Sequence, residues 1–395
     1  MKTKNQKNNK RQIIIVATTA SMIEQFNMNN IKILKELGFG VHVGTNFKNP
    51  GTITNEISNG LIERLTKLGV KCHQIDFKRG VGTPSANKKA FRQLSKTVEE
   101  EDISGIHTHS PLGSIIARRV AHKLGVKVLY TAHGFQFFKG GRLKDWLVYF
   151  PVEWFYGRWT DALVTINTDD YAVAKHLPIK RVYYIPGVGT DIENVERIAK
   201  EQRQKLRQEV RRNLGINNDE YLLLSVGELS ERKNHATVIK AISKLNDPKI
   251  KYVIAGIGDE ETNLKSLIKE NRLENKVQLL GYQTDLDGFY FAADLNVFIS
   301  KREGLGLGGL DGVAHGLYII GNGNTGMKDY IKSDDIGLLV KDPTDVDEVS
   351  RTIAFAKQGK KKVTGKGLEA VREFDYRNVN KIMKSIYQKE PKLQD

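Results

Sequence analysis

The chain of 395 residues is 39% hydrophobic and 27% charged. This composition is typical of a globular protein and excludes a disordered or fibrous chain, and the length predicts two domains of roughly 150 to 200 residues each. The single cysteine, Cys72, excludes an intramolecular disulfide and a thiolate metal cage, which favours a reducing cytoplasm.

The net charge of +16 is concentrated in the first half. Residues 1–190 contain 28 Lys and Arg against 14 Asp and Glu, a balance of +14, whereas residues 191–395 contain 34 against 32, a balance of +2. A basic half favours a partner such as nucleic acid, an anionic membrane or a phosphate-bearing substrate. The basic N-terminus is followed only by the apolar run 13–17, and this run is too short for the apolar core of a signal peptide. No apolar run in the sequence approaches the length of a membrane span.

Short apolar segments alternate with longer amphipathic segments along the first half. The predicted strands are 13–17, 41–43, 72–77, 105–107, 127–131, 162–166 and 182–185, and the predicted helices are 26–37, 53–68, 87–98, 112–124 and 168–176. The strands lack polar alternation, as expected where helices cover both faces. This pattern predicts a doubly wound parallel sheet.

A second series follows Pro-Gly-Val-Gly at 186–189 and a polar stretch, 191–218, that we interpret as a linker plus a helix. Its predicted strands are 221–226, 251–255, 277–280, 295–299 and 318–320, and its predicted helices are 235–245, 261–270, 285–292, 308–315, 345–357 and 376–389. We therefore predict a basic disordered tail at 1–11, Rossmann-like domains at 12–190 and 191–375, and a C-terminal helical segment at 376–395 that packs back toward the first domain.

The most informative segment is FISKREGLGLGGLDGVAHG, residues 298–316. Glu303 follows a predicted strand, and glycines lead into a predicted helix. Glycine lets a backbone approach a ligand closely, and the first N–H groups of a helix can bind phosphate. Asp311 lies on the second turn of this predicted helix. We expect its carboxylate to accept hydrogen bonds from ribose hydroxyls. A tight turn with an acidic residue on the helix dipole is the alternative.

Two further clusters follow predicted strands. In GELSERKNH, residues 227–235, Arg232 and Lys233 could neutralise a diphosphate, and a solvated charged loop is the alternative. In TAHGF of the first half, His133 stands at the carboxyl end of a strand, where reacting groups lie in parallel sheets. A structural histidine is the alternative there.

These ordered segments resemble family-4 retaining glycosyltransferases of the GT-B fold over nearly the whole chain. The matching segments are IHTHSPLGSIIARRVA (106–121), YTAHGFQFFKG (130–140), GVG (187–189), SVGELSERKNHATVIKAI (225–242) and REGLGLGGLDGVAHGL (302–317). They point to the enzymes of bacterial exopolysaccharide and capsular polysaccharide biosynthesis. The implied fold class is α/β, with two doubly wound Rossmann-like domains facing across a cleft.

The resemblance implies that a hexose moves from a nucleotide sugar, expected to be UDP-linked, to a polyprenyl-diphosphate-linked saccharide, without a metal or other cofactor. The first domain would bind the acceptor and the second the donor, and polysaccharide-assembly proteins would be further partners. The implied site comprises Glu303 and His133 as catalytic residues, Arg232, Lys233, Gly306 and Leu307 at the donor diphosphate, Asp311 at the ribose and Tyr282 beside the base.

Three positions depart from the family pattern. Asp311 stands where Glu is usual, Tyr318 where Pro is usual, and His315 where a small residue is common. These departures motivate a second hypothesis, in which a degenerate, non-catalytic glycosyltransferase binds or stabilises an active partner. The enzyme is favoured instead by four residues that match the family pattern: Glu303, Arg232, Lys233 and His133.

Asp285 and Asp287 match the D-x-D pattern that holds a metal in other glycosyltransferases. We expect no metal there, because Asp285 suits the cap of a helix that begins at Leu286, with Asp287 in its first turn.

The segment DWLVYFPVEWFYGRW, residues 145–159, contains all three tryptophans, Trp146, Trp154 and Trp159. Such amphipathic aromatics in a basic half favour contact with an anionic membrane or with the acceptor, and an aromatic helix packed across the sheet is the alternative. Nucleic acid is not expected, because the sequence has no recognisable nucleic-acid motif and its basic residues are scattered. We expect a cytoplasmic protein that associates peripherally with the inner face of the membrane.

Overall fold

The computed structural model describes residues 11–138 and 141–390, so the predicted basic tail at 1–11 lies outside the described residues except for Arg11. Within these residues the chain forms two compact units, 11–188 together with 379–390, and 189–378. The chain therefore leaves the first unit after Val188 and returns to it at Val379.

The first unit is built on a parallel sheet of seven strands in the order β3-β2-β1-β4-β5-β6-β7. The strands are β1 Gln12–Val16, β2 Gly40–Thr45, β3 Lys71–Gln74, β4 Ile103–Thr108, β5 Lys127–Ala132, β6 Ala162–Thr165 and β7 Arg181–Tyr184. All pairings are parallel. The predicted doubly wound sheet is thus confirmed, and the apolar strands are buried as their composition requires.

Helices connect these strands. They are α1 Ala20–Phe26, α2 Met28–Glu36, α3 Asn55–Lys67, α4 Pro84–Glu100, α5 Pro111–Leu124, α6 Leu143–Gly157 and α7 Thr168–Ala174. The single predicted helix over 26–37 is wrong in its bounds, because the helix breaks at Asn27, whose side chain donates to the carbonyl of Met22 at 3.0 Å. An Asn side chain that bonds nearby backbone competes with the helical pattern.

The second unit has a parallel sheet of six strands in the order β10-β9-β8-β11-β12-β13. The strands are β8 Tyr221–Val226, β9 Ile250–Ala255, β10 Val277–Gly281, β11 Leu295–Phe298, β12 Ile319–Asn322 and β13 Gly337–Val340. The helices of the rest of the chain are α8 Ile192–Arg197, α9 Lys200–Asn213, α10 His235–Leu245, α11 Glu261–Glu270, α12 Asp287–Ala292, α13 Leu307–Ala314, α14 Val346–Gln358, α15 Gly365–Ala370 and α16 Tyr376–Lys389.

Three features of this unit were not predicted, and one of them is the helix α15. The stretch 191–218 contains two helices, α8 and α9, instead of one. Strand β13 was not predicted, and it lies at the sheet edge, where it pairs with β12.

Buried apolar side chains hold each sheet to its helices. In the first unit Ile14, Leu94 and Ile116 belong to one continuous core, and in the second Leu223, Ile239 and Ile320 belong to another. Because every strand of a sheet runs in the same direction, the loops that follow the strands gather at one edge, where ligands bind in such sheets.

Candidate active site

Two loops of the second unit are tied together at the carboxyl edge of its sheet. The loop after β8 runs to Asn234, which has a φ of +62° and precedes α10. Its amide group donates to the carbonyls of Ile299, at 3.3 Å, and Pro343, at 2.7 Å. The N–H of Lys301 also donates to the carbonyl of Arg232 at 2.8 Å. The loops after β8 and β11 are therefore held in one arrangement.

Three of the predicted residues meet in this arrangement. Glu303 Oε1 lies 2.7 Å from Arg232 Nη1 and 2.7 Å from Lys233 Nζ. Arg232 Nη1 also donates to the carbonyl of Arg302 at 3.1 Å, and Arg232 Nη2 lies 3.8 Å from Glu228 Oε2. One carboxylate thus pairs with two cations that lie about seventy residues away in the sequence.

The ion pair is largely removed from water. Lys233 and Glu303 keep only 12% and 11% of their side-chain surface exposed, whereas Arg232 keeps 40%. The Lys233 ammonium also lies 4.3 Å from the ring centroid of Phe298. Burial on its own would raise the pKa of Glu303, but the charges of Lys233 and Arg232 and hydrogen bonds from Lys233 and Ser300 hold that pKa below its ordinary value. Glu303 is therefore an anion at neutral pH.

The helix α13 begins directly after this ion pair. Gly306 caps it with a φ of +82°, a conformation that favours glycine, and the backbone carbonyl of Gly306 accepts a hydrogen bond from the Tyr330 hydroxyl at 3.2 Å. Leu307 is the first helical residue. The positive end of the helix and its first N–H groups are thus next to Glu303 in the chain, which suits an anionic group.

Asp311 lies on the second turn of α13 and is partly buried. One carboxylate oxygen accepts a hydrogen bond from the Thr190 hydroxyl. Burial raises the pKa of Asp311, and this hydrogen bond opposes the rise. The contact with Thr190 was not foreseen, because nothing in the sequence connects two residues that are 121 positions apart.

The other two departures from the family pattern are accommodated within the same unit. Tyr318 is fully buried in the core. His315 donates through Nδ1 to the carbonyl of Asp311 at 2.7 Å, and its Nε2 lies 3.0 Å from Asp287 Oδ1. The ring of His315 stacks on that of Tyr290, with centroids 4.8 Å apart.

The D-x-D segment and Tyr282 lie after β10. The helix α12 begins at Asp287, one residue later than expected, and Asp285 Oδ1 accepts a hydrogen bond from the N–H of Asp287 at 3.1 Å. Tyr282 directly follows Gly281, at the carboxyl edge that also holds Glu303. Its backbone therefore lies at the same edge of the sheet as Glu303, and its place beside the base stays a prediction.

In the first unit His133 follows β5 and belongs to a buried polar cluster. Its Nε2 lies 3.1 Å from His109 Nδ1. His107 Nε2 hydrogen-bonds to Thr131 Oγ1 at 2.8 Å, and the rings of His107 and His109 are 4.0 Å apart. Burial lowers the pKa of His133 to about 4 and that of His107 to about 3, where the charge of His133 adds to the effect. These imidazoles are neutral at pH 7.

Sequence reasoning missed two residues of this cluster, His107 and His109. Both lie in the quoted segment 106–121, and the only signal was their spacing of two, which places both rings on the same face of β4 and its extension. The Nε2 of His109 is buried without a hydrogen-bond partner among the described residues.

The three tryptophans, for which a membrane or acceptor contact is predicted, do not share one environment. Trp146 packs against Phe137 and donates from Nε1 to the carbonyl of Phe138 at 3.1 Å. Trp159 stacks on His122, with centroids 4.2 Å apart. Only Trp154 belongs to the exposed large hydrophobic residues of the described chain. Trp146 and Trp154 differ because one side of α6 packs inward, whereas Trp159 lies beyond the end of that helix.

One group in the described residues offers three ligand atoms of the kind that bind metals. His42, His73 and Glu101 have such atoms within 4.8 Å of one another. His42 Nδ1 and His73 Nε2 lie 3.0 Å apart, as in a hydrogen bond, and Glu101 is paired with Lys71 at 2.5 Å. The ammonium next to the carboxylate disfavours a cation at this place.

Comparisons with known proteins cover both units. A model described as "Glycosyl transferase 4-like domain" matches residues 23–187, and one described as "Glycosyl transferases group 1" matches residues 207–365. The protein named "Putative glycosyltransferase EpsD" of Bacillus subtilis (strain 168) is 32% identical over 338 residues, which are 84% of each chain. An Escherichia coli "UDP-Gal:alpha-D-GlcNAc-diphosphoundecaprenol alpha-1,3-galactosyltransferase" is 28% identical over 64% of this chain and 66% of its own.

Solved structures agree in fold. Anabaena Alr3699/HepE in complex with UDP-glucose has a TM-score of 0.75 at 15% identity, with 96% of this chain and 99% of that chain covered. WaaG, a glycosyltransferase involved in lipopolysaccharide biosynthesis, has a TM-score of 0.70 at 15% identity, with 95% and 99% covered.

Proposed function

Since the chain belongs to the family-4 glycosyltransferases of the GT-B fold, in the group of exopolysaccharide biosynthesis, we propose that it transfers the hexose of a UDP-hexose to a lipid-linked saccharide. UDP leaves, and the anomeric configuration is retained. The observation that carries the proposal is the contact of Glu303 with Arg232 and Lys233 beside the first turn of α13. A carboxylate, two cations and a helix N-terminus together suit a sugar diphosphate.

The cations would bind the diphosphate of the donor. Arg232 can present two parallel N–H groups to phosphate oxygens, and Lys233 supplies a compact positive charge at a position that is largely shielded from water. The amides around Gly306 and Leu307 would add neutral donors and the positive helix end. As the bond to the sugar breaks, negative charge grows on the departing nucleotide, so these groups stabilise the transition state more than the bound donor.

Glu303 would interact with the transferred sugar. Its carboxylate is anionic and held in place by two charged partners. Positive charge develops on the anomeric carbon and ring oxygen as the leaving group departs, and an anion fixed nearby lowers the energy of that state. The same carboxylate can accept hydrogen bonds from sugar hydroxyls, which orients the ring for attack.

The remaining residues would position the substrates. Asp311 has a second carboxylate oxygen besides the one that contacts Thr190, and a ribose hydroxyl is its proposed partner. Backbone groups of Tyr282 would flank the base. Nε2 of His133 contacts His109, so Nδ1 of this neutral imidazole would form the hydrogen bond to a sugar hydroxyl. The lowered pKa of His133 suits this binding role better than an acid–base role at pH 7.

The substrates of similar proteins support the choice of donor and acceptor. The E. coli relative is named for UDP-galactose and a diphosphoundecaprenol-linked acceptor, and Anabaena Alr3699/HepE was solved in complex with UDP-glucose. We extend these classes to this chain as a UDP-hexose donor and a polyprenyl-diphosphate-linked saccharide acceptor. An acceptor anchored in the membrane requires the enzyme to work at the membrane surface, which we propose to be the inner face of the cell membrane.

The test is release of UDP from a panel of UDP-hexoses, with EDTA present and a polyprenyl-diphosphate-linked saccharide supplied. We expect that one donor releases UDP, and that it does so only when the acceptor is present. The NMR spectrum of the product should show the same anomeric configuration as in the donor. Glu303→Gln should lower the rate by about a hundredfold or more. The matched control is Glu231→Gln in the neighbouring loop, where Glu231 is exposed and pairs with Lys301.

Each arm can contradict a different part of the proposal. A wild-type protein that binds UDP but turns over no donor would favour a degenerate, non-catalytic binding partner. An inverted product would contradict retention, and a Glu303→Gln variant as fast as Glu231→Gln would remove Glu303 from the site. A strict requirement for a divalent cation would contradict the metal-independent mechanism.

A further inference from the structure

His109 contacts the proposed catalytic residue His133 from the neighbouring strand. The strands β4 and β5 pair in parallel, and the two histidines follow the carboxyl ends of these strands. His109 Nδ1 lies 3.1 Å from His133 Nε2, and the ring centroids are 5.4 Å apart. Because the hydrogen bond at one ring nitrogen decides which nitrogen of a neutral histidine carries the proton, His109 is placed to control the protonation of His133.

Both rings are held in place by the first unit. The backbone N–H of His109 donates to the carbonyl of Val16 at 3.0 Å, and the ring of His107 lies 4.0 Å from that of His109. The side chain of His109 is buried. The ring of Phe26 lies 5.3 Å from that of His133. Neither histidine ring can therefore turn without disturbing its neighbours, which preserves the contact between them.

The two rings hold two protons at neutral pH. Burial, with the charges of His107 and His133, lowers the pKa of His109 well below its ordinary value, and burial lowers the pKa of His133 to about 4. Both imidazoles are therefore neutral and carry one N–H each. One proton must lie between His109 Nδ1 and His133 Nε2, because a hydrogen bond needs one donor and one acceptor. The second proton is then on Nδ1 of His133 or on Nε2 of His109.

The surroundings of these two outer nitrogens differ. His109 Nε2 is buried without a hydrogen-bond partner in the described part of the chain. His133 is only half-buried, and its Nδ1 does not belong to the buried, unpartnered atoms of the described residues. A buried N–H without an acceptor is rarer in proteins than a buried acceptor without a donor. The second proton is therefore disfavoured on His109 Nε2 and favoured on His133 Nδ1.

We propose that His109 is a positioning residue, whose Nδ1–H donates to Nε2 of His133 and thereby keeps the proton of His133 on Nδ1. His133 then donates from Nδ1 to the oxygen of a sugar hydroxyl. A donor fixed in this direction orients the sugar and leaves the hydroxyl hydrogen free for another acceptor. The contact with the sugar rests on the proposed function, whereas the position of the proton belongs to the free protein and can be measured without substrate.

Long-range ¹H–¹⁵N NMR of the full-length protein with ¹⁵N-labelled histidine measures the position of this proton, because protonated and bare ring nitrogens have well separated ¹⁵N shifts. The variant His133→Gln identifies the signals of His133 by their loss. We expect a protonated Nδ1 and a bare Nε2 on His133 in the wild type. This pattern should be lost in His109→Leu, which removes the donor. It should persist in His109→Asn, because the amide nitrogen of Asn is bonded to Cγ, as Nδ1 of histidine is, and can donate from the same place.

The rate of UDP release from the donor tests the consequence for transfer. His109→Leu should lower kcat/KM by about tenfold, as the loss of one hydrogen bond does, and His109→Asn should stay within about threefold of the wild type. The matched control is His42→Leu, which breaks a contact of the same kind in the same unit, between His42 Nδ1 and His73 Nε2 at 3.0 Å. His42 lies on β2, which β1 and β4 separate from β5. The control should therefore keep the His133 signals and change kcat/KM by less than about twofold.

Several outcomes would overturn the proposal. A bare Nδ1 on His133 in the wild type would do so even if His109→Leu does not fold. Unchanged His133 signals or an unchanged kcat/KM in His109→Leu, or an equal change in His42→Leu, would reduce the contact between His109 and His133 to a part of the general packing. If the spectra are as expected but the wild type releases no UDP from any donor, the proposed function fails and the assignment of the proton to Nδ1 stands.

Discussion

Tyr387, near the end of the chain, hydrogen-bonds through its hydroxyl to Nδ1 of His107 at 2.8 Å, and both side chains are buried. His107 in turn contacts Thr131 and the ring of His109, which reaches His133. The last helix is therefore connected to His133 of the first unit through hydrogen bonds and the ring contact between His107 and His109.

Removing this hydroxyl should destabilise the first unit. In Tyr387→Phe a nitrogen of His107 loses its partner in a buried place, so we expect a cost of about 1 to 3 kcal/mol in the free energy of unfolding. Urea titration measures it. Lys384→Met on the same helix breaks an exposed pair with Glu36 and should change stability by less than about 1 kcal/mol. Equal effects of the two substitutions would show that the buried contact has no special weight.

Lys233 should control the protonation of Glu303. In Lys233→Met the first of the charges that opposes burial is lost, so the pKa of Glu303 rises. Because Glu303 acts as an anion, the acid limb of the kcat/KM profile should move to higher pH, and kcat/KM at pH 7.5 should fall by at least about tenfold. Lys301→Met in the adjacent loop is the control. If the acid limb does not move in Lys233→Met, the acid limb does not report the protonation of Glu303.

The histidine His42 should make stability fall in mild acid. Burial, with the charge of His73, lowers the pKa of His42 to about 4 from 6.5. Above pH 6.5 the neutral His42 makes its full contribution to the free energy of unfolding. This contribution is lost as the pH falls from 6.5 to about 4, because the unfolded chain binds the proton at a higher pH than the folded chain does. From pH 7.5 to 5.0 this loss is about 2 kcal/mol.

Urea titrations at pH 7.5 and 5.0 measure this dependence. The variant His42→Gln should lose less stability than the wild type over this interval, by about the same 2 kcal/mol. His176→Gln replaces an exposed histidine and is expected to keep the wild-type dependence. A His42→Gln variant with the wild-type dependence would contradict the assignment.

Two glycines in helices should respond to alanine with opposite signs. A Cβ at Gly312 on α13 would lie 2.3 Å from Asn296 Nδ2, so Gly312→Ala should destabilise the protein by about 1 to 3 kcal/mol. At Gly60 in α3 the nearest atom is 3.4 Å away, at the end of the Arg64 side chain. Gly60→Ala should therefore stabilise by about 0.5 to 1 kcal/mol. Urea titration of both variants decides, and a loss in both would contradict the steric account of Gly312.

The sequence by itself determined the fold class and indicated the residues proposed to bind the sugar donor. Apolar segments at strand length, separated by amphipathic segments, specify buried parallel strands because both sheet faces are covered. The segments around Arg232 and Glu303 follow strands of one such sheet, so their loops had to gather at the same edge. Their family resemblance was confirmed by the matching models and by EpsD.

The environment of each side chain was decided only by tertiary structure. Composition placed three tryptophans in one aromatic segment, but the rotation of α6 on its sheet turns Trp146 inward and exposes Leu143 and Leu147. Pairing of Thr190 with Asp311, and of Tyr387 with His107, joins residues far apart in the chain. Local pattern reports which residues favour burial, whereas the partner of a buried polar group depends on how distant elements pack, because only packing brings their atoms within hydrogen-bond distance.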